Sequence, residues 1–178
     1  MVKVDFEFAR QKYKPDRIKF LLIAEAPPKV ESVRFFYFKD VHDADNLFLE
    51  TMKVLYPADY SNTKSIRQRK GEFLERFKND GFYLIDASDK PMKDTRPATK
   101  KKQIEMSLPS LIEKVRSLVS EDTKIVLISS TVYKFCRNKL KAEGFNVINE
   151  CAIPFPIGWQ KKFREKLGTL LSKHGWQA

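Results

Sequence analysis

Polar and apolar positions along this chain fall into two kinds of pattern. Compact apolar runs lie within 18–24 (Ile18, then Phe20-Leu21-Leu22-Ile23-Ala24), 82–85 (Phe82-Tyr83-Leu84-Ile85), 124–130 (Ile125-Val126-Leu127-Ile128) and 145–148 (Phe145-Asn146-Val147-Ile148). Short runs of this kind predict strands buried on both faces. Between them the apolar positions recur at helical spacing. Leu47, Phe48, Met52 and Leu55 make one stripe, and Phe73, Leu74 and Phe77 another. Leu108, Leu111, Ile112, Val115, Leu118 and Val119 make a third, Val132, Phe135, Cys136 and Leu140 a fourth, and Phe163, Leu167, Leu170 and Leu171 a fifth. Each predicts an amphipathic helix. Strand and helix alternate with crossovers long enough for βαβ units. One domain over residues 1–178 is therefore expected, an α/β fold built as a three-layer α/β/α sandwich on a central, mostly parallel four-stranded sheet.

Punctuation refines this outline. Residues 1–16 predict a short helix or arm. Asp45 is the expected N-cap of a helix over 46–55. Asn79-Asp80-Gly81 and Gly144 close helices, Ser107 with Pro109 opens one, and Thr131 caps another. Residues 29–45 show no periodicity and predict a loop; Ser32, Val33 and Arg34 lead into four aromatics, Phe35, Phe36, Tyr37 and Phe38. Residues 90–103 carry six basic residues and two prolines, which predicts an exposed and poorly packed connection.

Candidate chemistry gathers at strand ends. The first strand stops at Glu25-Ala26-Pro27-Pro28, where two prolines stiffen the turn. Ligands in open α/β sheets bind beyond the carboxyl ends of parallel strands. Glu25, Asp86, Ser88, Ser129 and the proline loop 153–158 would then meet on one rim. The Phe35–Phe38 rings have two readings, as cover for the sheet end or as a stacking platform for a planar ligand such as a nucleobase. Glu25 also has two, as a site carboxylate or as a strand-end acid paired with a lysine.

Charge narrows the partners. The formal net charge is +11 and the pI is near 9.6, which favours a polyanion such as DNA. Lys161, Lys162, Arg164 and the 90–102 segment are expected to meet phosphates. His42 and His174 are the only histidines. Cys136 and Cys151 are too few for a four-cysteine metal site and are expected to be buried thiols. No cofactor or metal is expected. No apolar run reaches membrane-spanning length and no signal-peptide pattern opens the chain, so a cytoplasmic monomer without membrane contact is expected. No phosphate-loop motif supports a phosphorylated small molecule as substrate.

The order of elements and two short motifs resemble the uracil-DNA glycosylase superfamily. One branch of that family carries Gly-Glu-Ala-Pro-Gly after its first strand; Ala24-Glu25-Ala26-Pro27-Pro28 stands here. The family's last motif, His-Pro-Ser-Pro or a variant, is matched by Ile153-Pro154-Phe155-Pro156 before a basic helix. Ala24 and Pro28 replace glycines, Ile153 replaces the histidine that steadies the departing base, and the iron–sulfur cysteines of that branch are missing. The resemblance implies a base-excision-repair hydrolase that cuts the N-glycosidic bond of uracil or another deaminated base, with water activated by Glu25. It implies base contacts from Ala24, Ala26, Phe35, Phe36, Tyr37, Asp86 and Ser88. It implies DNA contacts from Pro27, Pro28, Ile153, Pro154, Phe155 and Pro156, with duplex or single-stranded DNA as partner. The alternative is a member of the same fold that binds nucleic acid without cutting it.

Overall fold

The computed structural model describes residues 5–29, 31, 34–41 and 43–178. His42, Ser32 and Val33, named above, lie outside the described residues. Three strands form one parallel sheet: β1 (Phe20–Ala24), β2 (Phe82–Asp86) and β3 (Lys124–Leu127), in the order β2-β1-β3. Every residue of β1 and β2 is buried, as unbroken apolar runs require. Seven helices surround the sheet among the described residues: α1 (Phe6–Lys12), α2 (Asn46–Leu55), α3 (Thr63–Gln68), α4 (Lys70–Asn79), α5 (Pro97–Leu118), α6 (Ser130–Ala142) and α7 (Gln160–Lys173). Right-handed crossovers on this strand order carry α2–α4 and α5 to opposite faces. The observed helix pairs, α2 on α7 and α5 on α6, agree with that. No helix among the described residues is long and apolar enough to cross a membrane.

The sheet has three strands, not the expected four. Residues 145–148 make a single bridge, Ile125 to Val147. A side chain then takes over: Leu127 N–H donates to Asn149 Oδ1 (2.7 Å) and Asn149 Nδ2 donates to Leu127 O (3.0 Å). One bridge from Ile128 to Ile153 follows. A carboxamide thus supplies what a strand residue would, and the ladder never becomes regular. The opposite edge is treated alike. Tyr37 Oη donates to Leu84 O (3.0 Å) and accepts from Leu84 N–H (2.7 Å).

Three other expectations are corrected. The 90–103 segment is largely exposed as expected, but it is not all connection: α5 begins at Pro97, a residue suited to the first helical turn, so Ser107 and Pro109 lie inside a 22-residue helix. Gln103 Nε2 ties the preceding loop down through Ser88 Oγ (3.0 Å), Lys90 O (3.1 Å) and Pro91 O (3.0 Å). Ser129, not Thr131, caps α6, its Oγ accepting from Val132 N–H at φ +87°. Cys136 is buried, but Cys151 is exposed. Gly81 is required where it stands: at φ +86° a Cβ would come within 2.8 Å of Lys19 Cγ, and its carbonyl accepts from Lys19 and Phe20 as β1 begins.

Candidate active site at the rim of the sheet

Register decides which residues share the rim. Ala24 pairs with Asp86 and Ile23 with Leu127, so the strands finish together. Pairing continues one step further, with Ala87 N–H on Ala24 O (2.8 Å) and Ser88 N–H on Glu25 O (3.1 Å). The backbone of Glu25 is therefore fixed to the neighbouring strand end.

Glu25 lines a hollow of about 430 Å³ with Ala26, Pro27, Lys29, Pro91, Met92, Lys100, Phe155 and Ile157. The two proline-stiffened corners, distant in sequence, thus meet across one space. Lys100 Nζ lies 2.7 Å from Glu25 Oε1, with the lysine side chain 27% and the glutamate 14% exposed. The lysine-paired reading of Glu25 is realised, and the pair faces the hollow. A neighbouring hollow of about 260 Å³ shares Ala26, Phe155 and Ile157 and adds Pro28, Arg34, Phe35, Phe36, Asp45 and Asp86. Glu25 and the aromatic candidates are thus lodged in two adjoining spaces rather than one.

No family model matches this chain, and no curated protein matches it. The site therefore stands on its own geometry.

Several expected contacts have other work. Phe35, Phe36 and Tyr37 are 2%, 5% and 2% exposed and pack on one another, so they are core cover rather than a free stacking platform. Tyr37 closes the β2 edge instead. Ala24 is buried within β1 and offers a base no surface. Ser88 Oγ donates to Lys90 O (2.9 Å) and accepts from Gln103, which makes it a loop brace. Asp86 is buried on Arg10 Nη2 of α1 at 2.7 Å. Burial raises its carboxyl from 3.8 to about 6, against the opposing pull of Arg10. Asp45 stands at the expected N-cap position of α2, but its side chain makes no cap bond and instead faces Arg67 (3.0 Å) and Lys70 (3.5 Å). Burial in turn lowers the Lys70 amine to about 8.

The expected DNA-facing set divides similarly. Ile153 is buried in its bridge to Ile128, and Pro156 is buried too, so neither meets a duplex. Arg164 is committed to the buried Glu50 of α2. Pro154 and Phe155 are half-buried in the corner, beside the exposed Ile157 and Trp159. Lys161 and Lys162 are exposed, and the Lys162 amine lies 5.3 Å from the Trp159 ring centroid. His174 lines a separate hollow with Ile18, Lys19 and Phe20, at the entry end of the strands and away from Glu25.

Arg10, Gln103 and Asn149 escaped sequence reasoning, and Lys100 entered it only within the 90–102 segment expected to meet phosphates, not as the partner of Glu25. Pro97, as a first-turn proline, was the available signal for the helix that delivers Lys100 and Gln103. Arg10 and Asn149 act across long sequence separations and carry no local signature.

Proposed function

We propose that this protein is a DNA glycosylase of the uracil-excising type, a three-layer sandwich whose rim hydrolyses the N-glycosidic bond of a deaminated base. What supports the reading best is the placement of Glu25: a carboxylate on a pinned turn, at the exit end of the central strand, lining a hollow framed by both proline corners. In this reaction the sugar gains oxocarbenium character while the base departs with the bonding electrons. A carboxylate beside the sugar takes the proton of the attacking water and offsets the developing positive charge. Exposed Ile157 and half-buried Phe155 supply an apolar wedge for a gap left by an extruded base. Lys161 and Lys162 supply phosphate contacts that position the duplex without reading its sequence.

The test is incubation with single- and double-stranded oligonucleotides holding uracil or hypoxanthine, read as abasic sites. Wild-type excision is expected, with Glu25→Gln slower by about 100- to 10,000-fold. Unchanged excision in that variant would move the base elsewhere. Tight binding with no excision by the wild type would favour the non-cutting alternative, which the buried state of the Phe35–Tyr37 rings already suits.

A further inference from the structure

The departing base leaves as an anion, and the chain has Ile153 where the resemblance would place a histidine to receive it. Of the hydroxyls near the rim, Ser88 Oγ already donates to Lys90 O, while Ser129 Oγ caps α6 as an acceptor from Val132 N–H and does not line the Glu25 hollow. Pro27 and Pro28 have no N–H to offer. Two cations, Lys29 and Lys100, line the Glu25 hollow, and the Lys100 amine lies 2.7 Å from the carboxylate.

We infer that Lys100 is a catalytic residue that holds the departing base as an anion, on the geometry of its ion pair with Glu25 in a shared hollow. The inference rests on the glycosylase reading above. Three observations place the amine. It is 2.7 Å from Glu25 Oε1. It lines the same hollow as the carboxylate. It rides on α5, whose Gln103, one turn further on, is bonded to Ser88 and Pro91 of the rim loop. Both side chains are largely shielded from water, where a charge interaction is worth more than at an open surface.

The step balances as an exchange of partners. The water oxygen forms its bond to the sugar C1′, and the C1′–N bond breaks with its electron pair going to the base. The water proton goes to Glu25, which becomes neutral. Lys100 thereby loses one anion at the moment another is created beside it. The hollow holds one cation and one anion before and after. Release of the Glu25 proton to solvent, and escape of the base with a solvent proton, restore the original pair.

The experiment compares Lys100→Met and K100R with wild type in single-turnover excision from duplexes holding uracil or 5-fluorouracil. Fluorine makes the base a better leaving group that needs less help. The K100M loss on uracil is expected to be about 100- to 1,000-fold. On 5-fluorouracil the loss should be about tenfold smaller, and K100R should recover most of the uracil rate. An equal loss on both bases would show that Lys100 only positions Glu25 and would overturn the role. So would an undiminished rate. No excision by wild type overturns the glycosylase reading itself, and the role with it. If K100M melts early, K100Q carries the same comparison between bases.

Discussion

Asp86 and Arg10 show how much one buried pair can decide. Burial raises the Asp86 carboxyl from 3.8 to about 6 although a guanidinium is bonded to it. The folded state then binds its proton more readily than the unfolded chain. Stability from this group is full below the unfolded value and falls as pH rises from 3.8 to about 6. Chemical denaturation across that window should show wild type losing up to about 1.4 kcal/mol per pH unit relative to Asp86→Asn. Parallel pH profiles for the two proteins would remove burial as the controlling influence. Arg10→Met leaves that carboxylate without its partner and should cost about 3–5 kcal/mol at neutral pH, read from the denaturation midpoint. Sequence exposed Asp86 as a polar strand end but not its partner, because Arg10 lies 76 positions away on a short helix with no motif.

Among the elements, the apolar runs and stripes were legible because their periodicity follows directly from which faces are buried. All three strands and the amphipathic stripes of α2 and α4–α7 can be traced to them. What failed were boundaries set by single residues. Charge density at 90–103 resembles a solvated connection, yet Pro97 starts α5 there and three bonds from Gln103 hold the loop. Pro109 suits a helix start by sequence, but it lies exposed in the thirteenth place of α5. There it forfeits an intrahelical bond and crowds the preceding turn. Pro109→Ala should raise stability by about 1–3 kcal/mol, read in a thermal melt; no gain would mean that α5 accommodates the proline without cost. At the start of α6, Ser129 caps the helix at φ +87°, a conformation that favours glycine. Ser129→Ala should cost about 1 kcal/mol through the lost cap, and Ser129→Gly less, because relief of backbone strain offsets part of it.

At the scale of the molecule, the net charge of +11 was plain in the composition, but its usable part was not. Arg164, counted as a phosphate contact, neutralises Glu50 inside the fold, while Lys161 and Lys162 stay exposed next to Trp159. If those two lysines meet phosphates, replacing both with alanine should weaken binding to all DNA sequences alike. It should also reduce the slope of log affinity against log salt by about 2. An unchanged slope would move the DNA path to another face. The meeting of the two proline corners was foreseeable from a parallel sheet, whose strands all finish on one rim. The separation of Glu25 from the aromatic hollow was not, because it depends on how the 155–157 turn settles between them.

The paired margins of the sheet set a limit on assembly. A phenol occupies Leu84 on one side and a carboxamide occupies Leu127 on the other, so backbone groups that would template an incoming chain are already spoken for. Growth of the sheet past β2 therefore has to evict Tyr37 from Leu84, and growth past β3 has to displace Asn149 together with the backbone bridges of Val147 and Ile153.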